Sequence, residues 1–311
     1  LIKQIANLKT ITFYEKIGSI YDKTQRIRNL AGLLSDELNI NKEKVQVAAS
    51  ISKSDLCSDL VGEYPELQGV MGKYFALAQG FEEDVANSIS EHYLPTGLTS
   101  ALPKKPFSYS ISIVDKLDSL VGFFLINEKP TSSKDPFALR RSAIGLLRII
   151  IENKLSIKLR DLISYSIRLY EDQGVEIKNK ETEIEVLDFL KERMRNILKL
   201  KNIKIDIIEA SITSHVGDNF LDLYKKNVLM NKYINKDVGI NVISSYKRAS
   251  NITDKAEKRI TGRPDAVLFR TEEEKVLFEK INEIRKAFTV KESNKDYENL
   301  LIRLSETKQF T

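Results

Sequence analysis

One cysteine, two histidines and no long apolar run are the conspicuous shortages of this chain, and each removes a class of function. Cys57 alone cannot close an internal disulfide, and no secretory apolar segment opens the chain. The expected compartment is therefore the reducing cytoplasm, with Cys57 as inert packing. A membrane-spanning helix needs roughly 20 apolar residues, whereas even the stretch Leu146–Ile151 is interrupted by Arg148. No membrane partner is expected. Neither His92 nor His215 precedes an aspartate, so the chain holds no adjacent His-Asp pair. It also lacks a G-x-x-x-x-G-K-S/T loop and a G-x-G-x-x-G fingerprint, and no nucleotide-binding signature takes their place.

The residues that are present favour helix. With 311 residues, 42% of them hydrophobic, the chain is long enough for two or three domains with their own cores. Helical periodicity runs through Ile17–Leu34, Lys44–Leu60, Glu82–Tyr93, Tyr109–Ile126, Asp206–Ala210, Asp218–Met230, Ile240–Ile252 and Glu272–Phe288. Evidence for strands is scarce. The stretch Leu94–Phe107 holds three prolines and Gly97 and reads as an ordered loop. Boundaries are expected in Asn127–Lys134 and near Leu200–Lys204, which predicts a mainly α, multi-domain chain divided 1–128, 129–202 and 203–311. A net charge of +5 is too small to identify a nucleic-acid binder. Its distribution is more telling. Between Ile240 and Arg263, Lys247, Arg248, Lys255, Lys258, Arg259 and Arg263 face only Asp254 and Glu257, a local charge of +4.

The stretch Pro130–Ile150, PTSSKDPFALRRSAIGLLRII, joins a helix start signal to a run of arginines. Asp135 can cap a first turn and Pro136 suits the first helical position. Leu139, Ala143, Leu146, Leu147 and Ile150 then mark one apolar face, which leaves Arg140, Arg141 and Arg148 pointing elsewhere. With Lys134 just ahead of them, they make a phosphate-binding surface or, alternatively, a solvated face with local ion pairs.

The same stretch resembles the beta subunit of the bacterial heterotetrameric glycyl-tRNA synthetase, in which a P-T-G-S-K-D-P-F-A-L-R-R run is characteristic. Five further blocks follow that family's order: KIGSIYDKTQRI (Lys16–Ile27), KSDLCSDLVGEYPELQGVMGKYFA (Lys53–Ala76), EHYLP (Glu91–Pro95), DKLDSLVGFF (Asp115–Phe124) and YKRASNI (Tyr246–Ile252). Ser132 stands where the family usually has glycine, and Ser245-Tyr246 replaces the usual Ala-Asn. The resemblance implies a fragment, opening at Leu1 without an initiator methionine and ending at Thr311 before an anticodon-binding domain is complete. It also implies a heterotetramer of two alpha and two beta subunits, with glycine tRNA as the RNA partner and no DNA. Activation of glycine with ATP and Mg²⁺ belongs to the alpha subunit, so this chain is expected to hold no catalytic residue and no cofactor of its own.

The first third of the chain also resembles the HD superfamily of metal-dependent phosphohydrolases, in which AASISKSDL (Ala48–Leu56) takes the place of A-x-L-L-H-D. Ser52 and Lys53 thus stand at the His-Asp pair, with His92 and Asp115 at the other ligand regions. Lysine offers no lone pair and repels a cation, so a degenerate site that binds no metal is expected. His92 follows Val85 and Ile89 on an apolar helix side and reads as a hydrogen-bonded core residue. Asp115 and Asp118 share a helix face, so they call for backbone amides or a basic partner such as Lys53.

Three further motifs have to be weighed. FRTE (Phe269–Glu272) mimics a class II synthetase signature, but Thr271 and Glu274 form a capping box and no glycine-rich third signature follows. H-I-G-H and K-M-S-K-S are absent as well. Gly69 and Gly72 are read as close-packing positions. The YKRASNI helix is implied by the resemblance to approach the anticodon, which makes Lys247, Arg248 and Asn251 candidates for RNA contact. Tyr246 is read either as a stacking platform or as a core residue. The expected function is tRNA recognition within glycine–tRNA ligase. The alternatives are a platform that binds only the alpha subunit and an HD-type phosphohydrolase.

Overall fold

Ser19 opens the first long helix through a reciprocal cap: Asp22 N donates to Ser19 Oγ at 3.2 Å and Ser19 N donates to the Asp22 carboxylate at 2.8 Å. In the computed structural model, which describes residues 1–97, 99–215, 217–254, 264–288 and 296–310, this helix is α1 (Ile20–Leu38). It starts three residues later than Ile17, because Gly18 and Ser19 form strand β2 against β1 (Thr12–Tyr14). That antiparallel pair is the only sheet among the described residues. Elsewhere the fold is helical, a mainly α chain.

The chain divides into two compact units: residues 1–197 with 216–221, and residues 198–215 with 222–311. In the first, α1 is followed by α2 (Lys42–Ile51), α3 (Asp59–Glu63), α4 (Val70–Ala78), α5 (Glu83–Glu91) and α6 (Pro106–Leu125). Then come α7 (Leu139–Glu152), α8 (Leu159–Asp172) and α9 (Thr182–Leu200). The expected single helix Lys44–Leu60 stops at Ile51. The chain turns there so that Asp55, itself buried, accepts the Gly69 and Gly72 amides at 2.6 and 3.2 Å. Gly69 has φ of +79°, and a Cβ on Gly72 would lie 2.6 Å from the Ile89 side chain. Both glycines therefore serve close packing.

Helix α6 is the centre of this unit and packs against α1, α5, α7 and α8. Its buried Ile111, Val114, Leu117 and Val121 join Leu30 and Leu34 of α1 and Leu146 and Ile150 of α7 in the core. The break expected after residue 128 lies inside this unit.

The second unit holds α10 (Ile205–Ser214), most of α11 (Phe220–Tyr233), α12 (Asp237–Asp254), α13 (Glu272–Phe288) and α14 (Tyr297–Glu306). Helix α14 packs on α12 and α13, and Lys232 of α11 pairs with Glu298 at 2.8 Å. Helix α13 opens with the Thr271–Glu274 cap: Glu274 N donates to Thr271 Oγ1 at 3.3 Å, and Thr271 N donates to the Glu274 carboxylate at 3.1 Å. FRTE is a helix start. Among the described residues no helix is long and apolar enough to cross a membrane.

Candidate functional site

The residues that the HD resemblance aligns with metal ligands meet where the C-terminal ends of α2 and α5 face the middle of α6. Lys53 follows the last turn of α2, and its ammonium lies 3.2 Å from the Asp115 carboxylate and 4.1 Å from the centre of the Tyr93 ring. Ser52 is fully buried and donates to the Ala49 carbonyl at 2.8 Å. His92 is also fully buried; Nδ1 donates to the Ile89 carbonyl at 2.7 Å, while Nε2 has no hydrogen-bond partner among the described residues. Burial, with the Lys53 ammonium adding to it, keeps the ring neutral by lowering its pKa well below the ordinary histidine value.

Two lysines and an arginine that the sequence did not single out complete the cluster. Lys23 of α1 lies 3.0 Å from Asp115 and 3.1 Å from Asp118, and Arg26 grips Asp118 through Nε at 2.7 Å and Nη2 at 3.2 Å. The two carboxylates are thus met by side-chain cations rather than by backbone amides. Burial pushes the Asp115 carboxyl up, but Lys23 and then Lys53 outweigh it and hold the group below the usual carboxylate range. Lys116 points the other way along α6 and donates to the carbonyls of His92 and Leu94, at 3.3 and 2.9 Å, and to Ser112 Oγ at 2.8 Å. Burial lowers its pKa to about 8 against the pull of Asp115, with Lys53 and Lys23 adding to the fall. The donor set does not suit a metal. Serine and an ammonium occupy two ligand positions, and among the described residues no group of three or more His, Cys, Asp or Glu side chains is placed to hold an ion.

The arginine helix starts later than its sequence signals indicate. Asp135 does cap it, accepting from Leu139 N at 2.8 Å and Arg140 N at 3.0 Å, but Pro136 and Phe137 form a turn and Ala138 takes a left-handed conformation with φ of 53°. Nonlocal packing sets that turn: Phe137 stacks on Phe123 with ring centres 3.9 Å apart and meets Tyr14 edge-on at 5.2 Å. The three arginines differ. Arg148 is half-buried and donates to the carbonyls of Gly97 and Ser100 at 2.9 and 3.1 Å. Arg140 donates to the Thr131 carbonyl. Arg141 is exposed and forms no ion pair or side-chain hydrogen bond among the described residues, and the Lys134 ammonium is likewise exposed and unpaired. Arg193 of α9, missed by sequence reasoning, stands near Arg140: burial and then that guanidinium lower its pKa. No local pattern could have linked residues so far apart in the chain.

In the second unit, Tyr246, Lys247, Arg248 and Asn251 lie on the last turns of α12, all exposed. Tyr246 is 72% exposed, so it is not a core residue. None of the four side chains has a hydrogen-bond or ion-pair partner among the described residues. The buried Ser245 and Gly239 mark the earlier turns that face the rest of the unit. Lys255, Lys258, Arg259 and Arg263, with Glu257, lie outside the described residues.

Comparison with known proteins identifies the family. A family model described as the glycyl-tRNA synthetase beta subunit matches residues 1–213. The glycine–tRNA ligase beta subunit of Rickettsia canadensis strain McKiel is 40% identical over 305 residues, 98% of this chain and 44% of that protein. That of Rickettsia prowazekii strain Madrid E is 39% identical over the same share of this chain and 43% of its own length. The Clostridioides difficile strain 630 protein is 35% identical over 283 residues, 90% of this chain and 40% of its own. The chain spans less than half the length of these relatives. With a family model matching more than half of its residues, the chain belongs to the glycyl-tRNA synthetase beta subunit family.

Proposed function

We propose that this chain is a tRNA-recognising part of a glycine–tRNA ligase that works with a separate alpha subunit, two of each forming the holoenzyme. In this reading the alpha subunit activates glycine with ATP and Mg²⁺, and this chain binds glycine tRNA in the cytoplasm without contributing to adenylation. Its domains are a degenerate HD-like part over 1–128, a helical connector over 129–202 and part of an anticodon-binding domain over 203–311.

One observation carries the RNA assignment: Tyr246, 72% exposed, shares α12 with Lys247, Arg248 and Asn251, all of them exposed and without side-chain partners among the described residues. An exposed aromatic ring and cations on one helix suit an unpaired base and its backbone, because the ring stacks while the guanidinium and ammonium neutralise phosphate charge. Lys134, Arg140, Arg141 and Arg193 supply a second basic patch, with Arg141 and Lys134 the least engaged. Arg148 is held by loop carbonyls and belongs with the structure.

Filter binding of glycine tRNA tests the proposal. Tyr246→Ala should weaken binding by about 1–3 kcal/mol if one base stacks there. Arg248→Ala should flatten the plot of log K against log salt by roughly 0.7–0.9. A chain whose tRNA affinity ignores both changes does not recognise RNA through α12. A second reading, a platform for the alpha subunit alone, draws on Val70, Tyr74 and Leu77, which are exposed at helical spacing on one face of α4. That reading requires alpha-subunit binding with no RNA affinity at all.

A further inference from the structure

A pocket opens beside the cluster around Asp115, its lining including Thr96, Asp115, Lys116, Ser119, Arg141 and Ser142. Its charges are unevenly matched. Asp115, the only carboxylate in the lining, is already engaged by Lys23 and Lys53. Lys116 is buried yet forms no ion pair; its three N–H groups go to two carbonyls and a hydroxyl. Arg141 forms none either, and the Thr96 hydroxyl has no partner among the described residues.

A buried ammonium with no carboxylate in ion-pair contact carries an electrostatic cost that an anion in the adjoining space relieves. The five free N–H groups of a guanidinium fit tetrahedral oxyanions. We propose that this pocket binds a phosphate group, with Arg141 as the bidentate donor, Thr96 as a neutral donor and Lys116 acting through its charge. The proposal shares Arg141 with the tRNA reading but stands without it, because it concerns a phosphate group whatever carries it.

Isothermal titration of the chain with inorganic phosphate, at constant ionic strength in chloride, tests the proposal. Saturable binding of one phosphate per chain is expected. Arg141→Gln should weaken it by roughly tenfold or more, the value of a charge-assisted hydrogen bond. Thr96→Val should weaken it by less, while Arg168→Gln, at an exposed arginine on α8, should leave it unchanged. Thermal melts of the variants report whether they are folded. Competition by AMP and by an oligoribonucleotide with and without a 5′-phosphate identifies the source. Preference for the phosphorylated RNA assigns the group to RNA, and equal competition assigns it to free phosphate esters. Absence of saturable binding, or equal loss in Arg168→Gln, overturns the proposal. A chain that binds tRNA through α12 yet fails this titration leaves the tRNA reading intact and removes only the phosphate pocket.

Discussion

Lys53 Nζ lies 3.2 Å from the Asp115 carboxylate, joining two positions that the HD resemblance assigns to metal ligands of the same sign. One of the two positions carries an ammonium where that resemblance calls for an acid, and the pair neutralises itself. The ring of Tyr93 beneath the ammonium and the second lysine, Lys23, complete a closed arrangement of side chains.

Removing the lysine should therefore be costly. Lys53→Met leaves Asp115 with Lys23 alone, so a loss of about 1–3 kcal/mol is expected, below the full penalty of stranding a buried charge. Chemical denaturation gives the value through the midpoint at constant slope. An unchanged midpoint would mean that Lys23 suffices and that Lys53 is dispensable to the fold.

Lys116 should give the chain a distinctive alkaline response. Its folded pKa, near 8, lies below the ordinary lysine value of 10.5, so the unfolded chain binds more proton in the interval between them and stability rises with pH there. Burial is the main cause of the fall; of the charged groups facing it, Asp115 opposes the shift and Lys53 and Lys23 add to it. Between pH 7.5 and 9.5 the chain should gain about 1–2 kcal/mol relative to Lys116→Met. Parallel stability curves for the two proteins across that window would show that the ammonium titrates normally.

Arg141 and Arg148 should separate function from structure on one helix. Arg148→Ala loses two hydrogen bonds to loop carbonyls and should destabilise the chain by about 1–2 kcal/mol. Arg141→Ala should leave the melting temperature unchanged and reduce the salt dependence of tRNA binding by roughly 0.7–0.9 per lost phosphate contact. The reverse pattern, with Arg141 needed for folding and Arg148 for the salt slope, would exchange their roles.

Much of this architecture is legible in the sequence because amphipathic helices write their own period. Helices α5, α6 and α13 fall close to their expected limits for that reason. The misplaced starts have tertiary causes. The start of α7 is displaced to Leu139 by the stacking of Phe137 on Phe123, and α1 yields its first three expected residues to a strand pair. The Lys53–Asp115 pairing could be anticipated, since both positions come from one motif comparison. Lys23 could not: it reaches Asp118 across 95 residues, and nothing near it in the chain announces that partner. Tyr246 was ambiguous because a helical tyrosine suits a core as well as a surface, and only packing decides.

The ammonium at Lys53 also changes what the fold depends on. A domain held together by a bound divalent ion gains stability in proportion to the logarithm of the free ion, and loses it to a chelator. A cation tethered through its own backbone is present at a fixed local concentration whatever the medium contains. The link between α2 and α6 that Lys53 and Asp115 make is therefore indifferent to magnesium and manganese supply. It answers instead to acid: the depressed Asp115 pKa gives stability that is complete above the unfolded carboxylate value near 4 and is lost as pH falls toward the folded one.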